Sequence, residues 1–294
     1  MPLKILLIGN TGQVGFELNR TLLPLGEVLA LDYPQFDLGD GPAIHDMVTS
    51  LKPHIIVNAA AYTNVDRAES EKDLALEINA AGPMTLAVEA KKINAALIHY
   101  STDYVFDGQK GVPYVEDDPP NPLNIYGQSK LEGELGIQNI GGSYLIFRTS
   151  WVYSDRRPCF VQTILRLARE RKSLSVVEDQ HSNPTWARTL AEVTAQIIAQ
   201  GGADPVGWVA ERRGLYHLTD EGDCSRFEWA KAILELEPHR DEQIIQEILP
   251  VKSSDFPSPS TRPSDSRLSC EKIQNTFNLH LPHWRDTLKL MLSG

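Results

Sequence analysis

The chain is poor in cysteine: three in 294 residues, at Cys159, Cys224 and Cys270, with no CxxC pair. An odd number at such wide spacing argues against a disulfide scaffold, a structural zinc site and secretion. Basic residues are the minority charge, 28 Lys and Arg against 39 Asp and Glu, for a formal net charge of −11. A surface of that sign repels phosphodiester backbones and anionic lipid, so neither nucleic acid nor a membrane is an expected partner. No apolar run approaches the roughly 18 residues of a membrane span. The opening stretch to Gly9 is too short in apolar residues for a secretory signal. Internal repeats and low-complexity tracts are absent as well. A cytoplasmic protein is expected.

What is present is a regular alternation. Short apolar runs at Lys4–Ile8, Val28–Asp32, Ile55–Ala59, Leu97–Ser101 and Tyr144–Thr149 read as strands. Between them, Val14–Leu25, Ile44–Leu51, Glu71–Lys92 (interrupted near Gly82-Pro83) and Ile125–Gln138 read as helices. Continuously apolar strands alternating with helices predict an α/β protein with a doubly wound parallel sheet of the Rossmann type. Its ligands lie beyond the carboxyl ends of the strands. After about residue 150 the pattern becomes mixed. Helices are expected at Phe160–Arg171, Thr189–Gln200, Phe227–Leu236 and Asp241–Ile248, and an extended loop at Ser253–Arg267, rich in Ser and Pro. The expected division is a dinucleotide-binding domain over 1–152 and a smaller mixed α/β substrate lobe over 153–294, with some interleaving.

Gly9-Asn-Thr-Gly-Gln-Val-Gly15 lies between the first strand and the first helix. Gly9 suits the tight turn, Gly12 lets backbone approach a pyrophosphate, and Gly15 lets the helix pack closely on the sheet. Free N–H groups at the helix start then face the anion. The spacing is GxxGxxG instead of GxGxxG. Asp32 ends the second strand, where an acidic residue binds ribose hydroxyls and repels a 2′-phosphate, which favours NADH over NADPH. Asp37 is a further adenine-side candidate. Ala59-Ala-Ala-Tyr-Thr63 would let a cofactor lie against backbone.

Tyr126 and Lys130 form a Tyr-x-x-x-Lys on a helix, so the two side chains share a face. An ammonium beside a phenol is expected to lower its pKa and fit Tyr126 to protonate a carbonyl oxygen as hydride reaches its carbon. Thr102, at the end of the fourth strand, is a candidate to hold that carbonyl, and Asp103 a candidate to meet substrate. Trp151 follows the fifth strand and suits stacking on a sugar. Arg262 and Arg267 are candidates for a nucleotide diphosphate, since an acidic protein must place its cations locally. Asn183-Pro-Thr185 reads as a turn. His280-Leu-Pro-His283 has no partner motif, and no metal site is expected.

Together these blocks resemble the extended short-chain dehydrogenase/reductase family. Further on, His99-Tyr-Ser-Thr-Asp-Tyr-Val-Phe106, Phe147-Arg-Thr-Ser-Trp-Val-Tyr153, Asp179-Gln-His-Ser-Asn-Pro-Thr185 and Arg262-Pro-Ser-Asp-Ser-Arg267 carry the likeness across nearly the whole chain. It is closest to the branch acting on dTDP-4-dehydro-β-L-rhamnose. The resemblance implies an oxidoreductase using NADPH or NADH on a dTDP-sugar. It assigns Gly12, Gln13, Val14, Asp32, Asp37, Leu38, Ala61, Tyr62, Thr63, Tyr100, Tyr126 and Lys130 to the cofactor, and Thr102, Asp103 and Trp151 to the sugar. Some members form a magnesium-bridged dimer through three glutamates. Glu17 matches the first, but Arg188 and about Gly294 fall at the others, and a cation cannot ligate magnesium. A monomer, or a weak homodimer without a magnesium bridge, is therefore expected. Open alternatives are another nucleotide-sugar epimerase or reductase, and a non-catalytic dinucleotide-binding module such as the regulatory subunit of methionine adenosyltransferase. A dinucleotide-sensing regulator is disfavoured by the acidic charge and the Tyr126/Lys130 pair.

Overall fold

Five strands stand at the centre of a computed structural model that describes residues 2–294. They are β1 (Lys4–Ile8), β2 (Glu27–Leu31), β3 (Ile55–Asn58), β4 (Ala96–Thr102) and β5 (Ser143–Thr149). With strand Gly214–His217 they form a parallel six-stranded sheet, in the order Gly214–His217, β5, β4, β3, β1, β2. Successive side chains on each strand go to opposite faces, and both faces are covered. Ile5, Leu7, Val57, Ile98 and Phe147 pack on Leu18, Leu22, Leu190 and Ile197. Leu6, Ile8, Ile56, Leu97 and Ile146 pack on Ile44, Val48, Leu86 and Ile137. Burial on both sides is why these strands lack a polar/apolar alternation in sequence.

The connection from β1 runs outward to β2, and the next crosses back to β3 on the other side of β1. The chain therefore leaves a crevice at the carboxyl ends of β1 and β3, the point where a doubly wound sheet takes its ligand. Helix α1 (Gln13–Thr21) and helix α2 (Gly41–Leu51) cover the two faces on this side. The third helical region is irregular next to Gly82-Pro83, where an interruption is expected. Pro83 sits at the start of Gly82–Lys92, where its missing N–H costs nothing, and the irregularity is a wide turn at Glu77–Ala81 just before it.

The second half of the chain returns to this sheet. Helix Ala187–Gln200 packs along α1, and Gly214–His217 extends the sheet beside β5. The rest gathers around Trp229, Tyr153 and Trp284, with helices Phe160–Glu170 and Arg226–Leu236. One expected element changes type. Asp241–Ile248 is not a helix: a short turn at Arg240–Glu242 leads into strand Glu247–Val251. That strand pairs in parallel with Ser173–Val177, from Glu247 opposite Ser173 to Val251 opposite Val177. A short isolated helix is marginal, and ladder hydrogen bonds from a distant strand outweigh its local propensity. No helix among the described residues is long and apolar enough to cross a membrane.

Candidate active site

The turn after β1 is shaped by absence of side chains. Gly9 has φ +89°, and a Cβ there would lie 2.5 Å from the Ala60 nitrogen. At Gly15 a Cβ would lie 1.9 Å from the Gly9 carbonyl oxygen. Gly12 caps α1 without a side-chain hydrogen bond, and no acidic residue stands in its first turn. The N–H groups there remain open to an anion. Beside them is a cavity of about 500 Å³ lined by Gly9, Gly12, Gln13, Val14, Asp32, Asp37, Leu38, Ala61, Thr63, Tyr100, Tyr126 and Lys130. Its size and its glycine-lined wall fit a dinucleotide.

Gly15 and Tyr62 do not line this cavity. Gly15 sits behind it, allowing α1 to close on the turn. The Tyr62 hydroxyl donates to the Glu71 carboxylate, and that bond raises the phenol pKa. Tyr100 turns its hydroxyl into the core, 2.6 Å from Thr194 Oγ1. Asp32 accepts from the Thr11 nitrogen at 2.9 Å and from Thr11 Oγ1 at 2.5 Å. Arg157, which the sequence reading missed, donates to Thr11 Oγ1 at 2.8 Å and lines the cavity. Its cation counters the repulsion of a 2′-phosphate that Asp32 alone would impose.

Tyr126 and Lys130 stand one turn apart on helix Ile125–Ile140, started by Asn124, whose Oδ1 accepts from the Gly127 nitrogen at 2.8 Å. Lys130 is 2% exposed. Its Nζ donates to the Tyr100 carbonyl at 2.6 Å and lies 3.3 Å from His99 Nε2. Burial lowers its pKa to about 8, against the pull of Glu134. Glu134 is itself held by Arg148 through bonds of 2.9 and 2.6 Å. The expected lowering of the Tyr126 pKa is not found. Burial raises it from 10.0, and a hydrogen bond with Thr102 opposes that shift only in part. The phenol therefore stays protonated at neutral pH, which is the state a proton donor requires.

Thr102 stands at the end of β4, where its Oγ1 accepts from the Tyr104 nitrogen at 3.2 Å. Asp103 does not face a cavity. It is 2% exposed, and its carboxyl receives Thr102 Oγ1 at 3.1 Å, Ser266 Oγ at 2.5 Å and Ser182 Oγ at 3.2 Å. Burial raises its pKa to about 6. A side chain so enclosed is out of a sugar's reach, and it accepts the Thr102 proton.

A second cavity, of about 820 Å³, is walled by Phe160, Ile164, Leu167 and Val176 and carries Arg226 and Arg262. Arg262 also pairs with Asp66 at 3.2 Å. Arg267 is tied to Asp265 at 2.6 Å and does not reach this cavity. The Arg226 guanidinium lies 3.7 Å over the Trp151 ring, and burial lowers its pKa. Trp151 has φ +40° and stacks on Trp229 at 5.4 Å, so its indole backs Arg226 instead of lining the cavity. Arg226 escaped the sequence reading. Its one local signal is a cation in the first turn of a helix, where the dipole disfavours it. The Arg226 charge also acts on the Tyr104 phenol, opposing the rise that burial imposes, and the Tyr104 ring meets Tyr126 edge-on at 5.9 Å. The two cavities are thus joined through Tyr104 and Tyr126.

Near Glu17, ion pairs link it to Arg20 at 3.2 Å and link Arg188 to Glu192 at 2.7 Å. Among the described residues no group of three or more His, Cys, Asp or Glu could hold a metal ion.

A doubly wound sheet, a glycine cradle and a Tyr/Lys helix at the crevice define a nicotinamide-dependent oxidoreductase of the extended short-chain dehydrogenase/reductase class. The family model described as RmlD substrate binding domain matches residues 3–294. The chain belongs to the dTDP-4-dehydrorhamnose reductase family. It is 43% identical over 296 residues to the dTDP-4-dehydrorhamnose reductase of Salmonella typhimurium, covering 99% of this chain and 97% of that one. To the Burkholderia thailandensis protein of the same name it is 42% identical, covering 96% of each. Among solved structures, the Bacillus anthracis dTDP-4-dehydrorhamnose reductase in complex with NADP superimposes with a TM-score of 0.90 at 33% identity, covering 100% of this chain and 99% of that one. A Thermus thermophilus UDP-glucose 4-epimerase, at 18% identity and a TM-score of 0.78, shares the fold.

Proposed function

We propose that this chain reduces the C4 ketone of dTDP-4-dehydro-β-L-rhamnose to dTDP-L-rhamnose, with NADPH or NADH as reductant. The observation that carries this reading is the position of Tyr126. It lines the dinucleotide cavity, and its ring meets that of Tyr104, on which the Arg226 charge of the neighbouring cavity acts.

When bound, the reduced nicotinamide supplies hydride. The backbone around Gly12, Gln13 and Val14 would hold the pyrophosphate, and Asp32 and Asp37 the adenosine side. Leu38, Ala61 and Thr63 would form the wall along which the dinucleotide lies. Lys130 would hold the nicotinamide ribose. Tyr126 would give its phenolic proton to the developing alkoxide, help worth about 10²–10⁴-fold. Thr102, whose own proton is taken by Asp103, would steady the Tyr126 hydroxyl. Arg226 and Arg262 would neutralise the diphosphate, and Trp151 would fix Arg226 beside the sugar. The same reading divides the chain near residue 152 into a cofactor lobe and a substrate lobe. It makes the protein a cytoplasmic monomer or weak homodimer without a magnesium bridge, so that a chelator leaves activity and assembly unchanged.

The test is incubation with dTDP-4-dehydro-β-L-rhamnose and each reduced cofactor. One nicotinamide oxidised per sugar reduced is expected. Isomerised sugar with no net oxidation would make the protein an epimerase and overturn the proposal.

A further inference from the structure

Behind Lys130 lies a buried polar chain that the proposed reaction does not use. Asn58 on β3 and His99 on β4 sit opposite each other in register, and both are fully buried. The Ala60 backbone N–H donates to Asn58 Oδ1 at 3.1 Å. An N–H can face only an acceptor, so this bond fixes which way the amide points. The Asn58 NH₂ group then faces His99 Nδ1 at 3.1 Å. Nδ1 must accept. Burial, with Lys130 nearby, keeps the imidazole neutral. A neutral ring whose Nδ1 is bare carries its proton on Nε2. Nε2 is the atom 3.3 Å from Lys130 Nζ.

An N–H therefore faces the lysine. An ammonium has three donors and no lone pair, so it meets this N–H unfavourably, whereas an amine accepts from it. On its other side Nζ keeps its bond to the Tyr100 carbonyl, which either form can make. We propose that Asn58 and His99 are positioning residues that present an N–H donor to Lys130, so that this lysine works as an amine–ammonium couple and not as a fixed cation. The inference rests on the proposed function only in placing Lys130 in the active site. The other groups facing Lys130 are few. Glu134, on the same helix, favours the ammonium but is neutralised by Arg148 from β5. Tyr126 lies one turn earlier and stays protonated, and β4 contributes His99 and the Tyr100 carbonyl. Burial lowers the Lys130 pKa to about 8 against the pull of Glu134, and the His99 N–H acts in the same direction as burial. In that range Lys130 can accept a proton as well as donate one, without moving.

The experiment is nitrogen NMR of the ligand-free chain, assigned with Lys130→Arg and followed across the neutral and alkaline range. The proton of His99 is expected on Nε2, and Lys130 is expected to titrate near 8. Asn58→Asp would accept from Nδ1–H and move the proton off Nε2. Asn58→Ala adds no charge and frees the ring to do the same. In both variants the Lys130 midpoint is expected to rise by about one pH unit, because the bare Nε2 now accepts from the ammonium. Wild-type His99 protonated on Nδ1, or an unmoved Lys130 midpoint in folded variants, would overturn the proposal. Should the variants fail to fold, the wild-type tautomer alone decides. Because no sugar or cofactor is present, failure of the reductase assay leaves this result standing, and the reverse holds as well.

Discussion

The two cavities are made in different ways. The dinucleotide cavity is assembled from segments that each follow a strand of one sheet: Gly9–Gly15 after β1, Asp32 after β2, Ala61–Thr63 after β3. The strand register sets their relative positions. The second cavity takes Phe160 from one helix, Val176 from a strand, Arg226 from another helix and Arg262 from a loop. No single sheet holds these pieces, and their cations converge only after the smaller lobe has packed around Trp229. A site built on one scaffold repeats its signals along the chain. A site built from distant pieces shows them only in space.

If the cavities serve separate ligands, substitutions should separate their effects, and Tyr126 at the junction should cost the most. Tyr126→Phe is expected to lower turnover about 10²–10⁴-fold while dinucleotide affinity, read by calorimetric titration, holds. In the cofactor cavity, Gly15→Ala forces a Cβ to 1.9 Å from the Gly9 carbonyl. The strain should cost on the order of 3 kcal/mol, lowering both the unfolding free energy and dinucleotide binding. In the other cavity, Arg226→Leu keeps apolar contact with Trp151 but removes the charge. KM for the sugar nucleotide should rise about 10–100-fold with dinucleotide affinity unchanged. Equal loss of both ligands in the Arg226 variant would erase the distinction between the cavities.

The smallest effect concerns the support behind Thr102. The Asp103 pKa is raised from 3.8 to about 6 in the folded protein. For a raised carboxyl, the folded state gains by binding the proton. Its stability contribution is full below the unfolded pKa of 3.8 and is lost as pH rises through about 6. Asp103→Asn should therefore flatten the fall of unfolding free energy across that window, measured by urea titration at several pH values. Asp220, also raised to about 6, leaves a residual slope in both proteins.

The sheet, the cradle, and Thr102, Tyr126 and Lys130 were legible because each rests on periodicity or spacing within a few dozen residues. Strand Glu247–Val251 was not, since only its pairing with Ser173–Val177 distinguishes it from a short helix. Burial was hidden too. The sequence puts Lys130 beside Tyr126, yet the enclosure that raises the phenol pKa and lowers the lysine's comes from β4 and its surroundings. Asp103 reads as a carboxylate that meets substrate, because Ser182 and Ser266, which close over it, lie far along the chain. Arg226 is not singled out in the sequence for the same reason: Trp151, the ring under its guanidinium, lies far from it along the chain.

The most direct measurement is a crystal structure of the protein with the oxidised dinucleotide and dTDP-L-rhamnose bound together. The account predicts the Tyr126 hydroxyl within about 3 Å of the sugar O4, with the nicotinamide ring against C4 on the same side of the crevice. A Tyr126 hydroxyl turned away from the sugar, or walled off from the nicotinamide by other side chains, would contradict it.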